Sequence, residues 1–157
     1  MSPTQFREQI AELSAQLAGR PLDASLDAWL NAEHGATSTT YASLKQSCIT
    51  GAAEGWLCDR EGGGIRYGRI FKPAPDLHGY SVDVVDMTDI AGPHHTHPNG
   101  EIDLIRWTKA QSLTAAPLAG WSAHRAVRTG PPSPGAAPWF FICCQKAASP
   151  LHVDPYD

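Results

Sequence analysis

No apolar run in the 157 residues is long enough to cross a bilayer. There is no glycine pattern of the nucleotide-binding kind, since no helix pattern follows Gly62-Gly63-Gly64. The four cysteines, Cys48, Cys58, Cys143 and Cys144, form neither a CxxC pair nor the framework of a small disulfide-stapled domain, so reduced, buried thiols are expected. Basic residues are also scarce. Twelve Lys and Arg against sixteen Asp and Glu leave a net charge of −4, which argues against a nucleic-acid or anionic-membrane partner. The opening MSPTQFREQIAEL has no apolar signal core, so a cytoplasmic protein is expected. The most unusual absence is local: residues 106–153 contain no Asp or Glu and five Lys or Arg. Residues 1–105 hold fourteen acids against seven bases.

What is present starts with helices. Phe6, Ile10, Leu13 and Leu17 recur at helical spacing and predict a helix over Thr4 to Leu17. Leu22, Leu26, Trp29 and Leu30 predict a second to Asn31, and Leu44, Cys48 and Ile49 a third from Tyr41 to about Ala53, with N-caps available in Thr37 to Thr40. Past Gly62-Gly63-Gly64 the period changes to two. Ile65 to Phe71, Tyr80 to Met87 and the stretch from Ile102 read as strands punctuated by Gly92-Pro93 and Pro98-Asn99-Gly100. The class expected is α+β: a helical region over 1–58, a β region over 59–105 and an atypical segment over 106–157.

The chemistry is concentrated in Pro93-His94-His95-Thr96-His97-Pro98-Asn99-Gly100-Glu101. His95 and His97 are two apart and share a face in extended chain, and the turn after His97 lets Glu101 return to it. Two imidazoles and a carboxylate suit a divalent ion such as Zn, Fe, Mn, Ni or Co, with positions left for water or substrate. A surface histidine cluster is the competing reading. Asp103 follows Glu101 by two, as a supporting partner or a base, or as a simple surface acid. Arg66 or Arg69 would pair with an anionic substrate, and Tyr67 or Tyr80 would stack on a ring, unless they serve as exposed charges and core aromatics.

The HxHxxxE arrangement resembles the first motif of the cupins, small double-sheet β-barrels. GWLCDREGGGIRYGRIFKP, HGYSVDVVDM and GPHHTHPNGEIDLI together resemble the 4-hydroxylaminobenzoate lyase family over about residues 20–105. The resemblance implies N-terminal helices before a cupin-like antiparallel β-barrel. It implies metal ligands His95, His97 and Glu101, and conversion of 4-hydroxylaminobenzoate to protocatechuate and ammonia in nitroaromatic breakdown. The assignments that go with it are Glu101 and Asp103 as catalytic, Arg66 and Tyr67 as substrate-binding, a divalent metal cofactor, a small aromatic substrate and a possible homodimer. A non-catalytic cupin-like binding protein and an oxygen-dependent cupin dioxygenase are the alternatives.

After Ile105 the motif resemblance ends, and seven of the thirteen prolines fall beyond it. Read one base out of phase, Trp139 to Ala147 (WFFICCQKA) is compatible with V-L-Y-L-L-P-E-G, an apolar strand closed by a turn. His124 to Thr129 permits P-G-S-A-H-R, which resembles a second cupin motif. A one-base insertion or deletion near codons 105–106 is therefore expected, with an incomplete barrel and an impaired protein as its consequence. On this reading His124 is not a restored ligand.

Overall fold

In a computed structural model, residues 1–87, 100–107, 119–124 and 139–146 are described. Three helices come first: α1 (Pro3–Leu17), α2 (Ala24–His34) and α3 (Thr39–Glu54). Each begins where a side chain satisfies the free amides of the first turn. Ser2 and Gln5 form a reciprocal capping box on α1, with Ser2 Oγ accepting from Gln5 N at 3.3 Å and Gln5 Oε1 accepting from Ser2 N at 2.9 Å. Asp23 accepts from the amides of Ser25 and Leu26, which is why α2 starts two residues later than its apolar stripe. Ser38 accepts from Tyr41 N and starts α3. Gly55 ends α3 at φ 80°, a left-handed conformation that disfavours a side chain.

Among the described residues six strands follow: β1 (Arg60–Gly62), β2 (Ile65–Phe71), β3 (Tyr80–Met87), β4 (Glu101–Trp107), β5 (Ala119–His124) and β6 (Trp139–Lys146). They form one antiparallel sheet in the order β1-β2-β3-β6-β4-β5. The expected α+β class is present. No pairing among the described residues joins β1 to β5, so the described strands make an open sheet and not a closed cupin barrel. Two of the six strands come from beyond Ile105, and β6 lies between β3 and β4.

The helices cover one face of this sheet. Phe6, Ile10, Leu13 and Leu17 of α1 and Leu26 and Leu30 of α2 join Val82, Val84, Ile102, Leu104 and Trp121 in one buried cluster. Each such side chain contributes roughly 1.5–3 kcal/mol through burial. Tyr80 is 3% exposed in the same cluster and is a core aromatic. At the β5 edge, Asn31 of α2 donates from Nδ2 to the Trp121 carbonyl at 2.8 Å and accepts from the Trp121 amide at 2.9 Å. Its side-chain amide thus pairs as a neighbouring peptide would, and Trp121 Nε1 donates to the His34 carbonyl.

Candidate functional site: a polar face opposite the helices

The ladder decides which residues share a side, because direct cross-strand partners point the same way and successive residues alternate. Val82, Val84, Ile102 and Leu104 face the helices. The alternate residues Ser81 and Asp83 of β3, and Glu101 and Asp103 of β4, therefore face the other way. On β2, Tyr67 pairs with Val85 and Arg69 with Asp83, so both belong to this second face. A bulge after Arg69 returns Phe71, which packs on Phe6, to the helix side.

The second face is polar and yet closed to solvent at its acids. Glu101 is 0% and Asp103 3% exposed, with Glu101 Oε1 and Asp103 Oδ1 each fully buried. Ser81 is also buried. Asp83 accepts from Arg69, Nε to Oδ1 at 3.0 Å and Nη2 to Oδ2 at 3.3 Å, a two-point pair with both side chains about one-fifth exposed. The register sets His124 and Gln145 opposite Glu101, and Ser122 and Cys143 opposite Asp103. Asp83 and Asp103 both pair with Cys143, so the two acids lie two strand spacings apart across β6, roughly 10 Å between backbones.

The sequence-predicted residues divide. Glu101, Asp103 and Tyr67 come to one face. Arg66 does not: it pairs with Asp86 on the helix side, and its Nη2 donates to the Ala52 carbonyl of α3 at 3.5 Å. Adjacent strand residues point to opposite sides, so Arg66 and Tyr67 cannot line one pocket from regular β2. Sequence reasoning assigned no role to Asp83 and Ser81; the signal was their two-residue spacing in SVDV. His95 and His97 lie outside the described residues.

Among the described residues no group of three His, Cys, Asp or Glu side chains is arranged to hold a metal ion. Glu101 is the first residue of β4, directly after the histidine segment and Gly100, and its carboxylate is withdrawn from water. The thiol of Cys58 plays no comparable part. It donates to the Val84 carbonyl on the helix side, and burial, aided by the negative charge of Asp86, pushes its pKa to about 12.

The family model for 4-hydroxylaminobenzoate lyase (PnbB) matches residues 8–138. The chain belongs to this lyase family. It is 28% identical over 139 residues to a 4-hydroxylaminobenzoate lyase of Pseudomonas putida, covering 78% of this chain and 74% of that one. It is also 28% identical over 117 residues to a 4-hydroxylaminobenzoate lyase of Nocardioides sp. (strain LMS-CY), covering 69% of each. No solved structure matches. The match to the lyase family includes most of α1, all of β1 to β5, and both histidines, and it ends immediately before β6. It runs 33 residues beyond Ile105, where the motif resemblance stops. Among the described residues of this family member, no helix is long and apolar enough to cross a membrane.

Proposed function

We propose that this chain is a cytoplasmic lyase that converts 4-hydroxylaminobenzoate and water to protocatechuate and ammonia. The observation that carries the reading is the buried pair Glu101 and Asp103 on a polar sheet face, in a chain of this family. The N–O bond breaks with its electron pair going to oxygen, which takes a proton and leaves as water. A second water adds to the ring carbon beside the C–N bond, and a third displaces nitrogen from the resulting imine carbon as ammonia. Loss of the ring proton restores aromaticity, so one water is consumed overall.

Asp103 takes the proton from the water that attacks the ring, from a position almost wholly buried on the polar face. Tyr67 offers a ring for the substrate to stack on. His95, His97 and Glu101 would hold a divalent ion, which when bound supplies a Lewis acid and polarises water. Arg66 belongs with the helices and is left out of the site.

The break in acid content after Ile105 and the near-forced out-of-phase strand favour a second reading, in which a frame change has impaired this copy. One set of assays tests both. The purified chain, its Glu101→Gln variant and a frame-restored version receive 4-hydroxylaminobenzoate, with ammonia, protocatechuate and oxygen followed together. Ammonia release without oxygen uptake, lost in Glu101→Gln, is expected for the lyase. Activity in the frame-restored protein alone would establish the impaired copy. Silence from both would end the lyase reading, and stoichiometric oxygen uptake would replace it with a dioxygenase.

A further inference from the structure

The second face of the sheet is polar over only part of its length. From the row of Asp83 towards Ser81, it carries Arg69 of β2, Ser81 and Asp83 of β3, and Glu101 and Asp103 of β4. One row on, in the direction of Met87, stand Tyr67 of β2 and Val85 of β3, and the register sets Phe141 of β6 and Ile105 of β4 in that same row. We infer that this apolar row seats the aromatic ring of the substrate, and that Val85 sets which ring substituents are admitted. The inference rests on the lyase reading, which supplies a benzene ring bearing a nitrogen group as the ligand.

Three observations carry it. First, the change of character falls between the same two rows on β2, β3 and β4: Arg69 gives way to Tyr67, Asp83 to Val85 and Asp103 to Ile105. Three strands from separate parts of the chain change together, which the packing of any one of them does not require. Second, the apolar row lies outside the core. Val84 is 0% exposed and belongs to the buried cluster, whereas Val85 and Tyr67 are half-buried and do not. The Tyr67 ring leans towards β1, where its edge comes within 3.7 Å of the place a side chain on Gly62 would start, so it stands as a wall beside Val85. Apolar surface held out of the core, next to buried acids, is what a ligand with one apolar and one polar end would cover. Third, the scale and the charges agree on one orientation. Successive rows on one face are about 7 Å apart, so a ring seated at Val85 brings its nitrogen group to the row of Asp83 and Asp103. The reverse orientation sets the substrate carboxylate against those acids, a juxtaposition of like charges. In the favoured orientation that carboxylate points along β3 and β4 towards their ends at Met87 and Trp107.

The assignment predicts discrimination by the width of the ring. Binding of 4-aminobenzoate and of the wider 4-amino-3,5-dimethylbenzoate is measured by calorimetry on the full chain, on Val85→Ala, on Val85→Phe and on Val84→Ala. The full chain is expected to prefer 4-aminobenzoate. Val85→Ala opens the row and should narrow that preference by roughly fivefold to tenfold, the value of one or two methyl groups in an apolar seat. Val85→Phe fills the row and should weaken 4-aminobenzoate by roughly tenfold or more. Val84→Ala, one residue away on the helix side, should lower the denaturant midpoint and keep the preference, which separates a seat from a structural role. An unchanged preference in Val85→Ala overturns the assignment, as does an equal shift in Val84→Ala. So does a full chain that binds both ligands alike or neither. Failure of the lyase reading is distinct: it is a Val85-dependent preference for 4-aminobenzoate with no turnover of 4-hydroxylaminobenzoate by the chain or its frame-restored version.

Discussion

On the helix-facing side of the sheet, Val82, Val84, Ile102 and Leu104 are buried because water is better rid of them. On the opposite side, Glu101 and Asp103 are buried to the same degree and against their own solvation. The two sets interleave residue by residue along β4, so one strand carries both kinds of burial with nothing but the pleat to separate them. A buried carboxylate is costly to the fold and is expected where chemistry needs it, whereas a buried leucine serves packing alone.

The largest stability effect should therefore come from the apolar side. Leu104→Ala is expected to cost about 2–5 kcal/mol, read as a lower denaturant midpoint with little change in slope. Asp103→Asn, one position away, should cost clearly less while lowering turnover. A reversal of that order would break the comparison. Next in size is the edge contact. Asn31→Ala strands the amide and carbonyl of Trp121 against the helix and should cost about 1–3 kcal/mol.

The smallest effect under ordinary conditions concerns Cys58. With its thiol pKa raised from 9.0 to about 12, the folded protein holds that proton more tightly than the unfolded chain does. Its contribution to stability is complete below pH 9 and declines as pH rises from 9 towards 12. Iodoacetamide at pH 8 should label Cys58 only after denaturant is added, as mass spectrometry of the digest would show. Rapid labelling of Cys58 in the native protein would contradict the burial assigned to it.

Much of this architecture was written in local patterns. The stripe Phe6, Ile10, Leu13 and Leu17 is enough to place α1, and the polar run around Ser38 holds the cap of α3. Strands β2 and β3 follow from alternation. What local pattern lacked was the side of each strand. Alternation separates Arg66 from Tyr67, but only the packing of α3 on the Arg66 side identifies Tyr67 and Arg69 as the pair on the polar face. The short β1 escaped notice because its three residues are all exposed and carry no pattern. The Asn31–Trp121 contact joins residues ninety positions apart, beyond the reach of any periodicity. Glu101 and Asp103 were legible as a spaced acid pair, and their burial was not, since it depends on the sheet.

The place of β6 has a consequence for the order in which the molecule assembles. The strand nearest the C-terminus is the one that lies between β3 and β4, so those two cannot complete their ladders until residues 139–146 have been synthesised. Until then each presents an open edge, the condition under which nascent sheets find wrong partners. Long-range pairing of this kind is also slow, since the chain must close large loops before any contact rewards it. The yield of folded protein in a cell would thus follow how quickly β6 is inserted between β3 and β4.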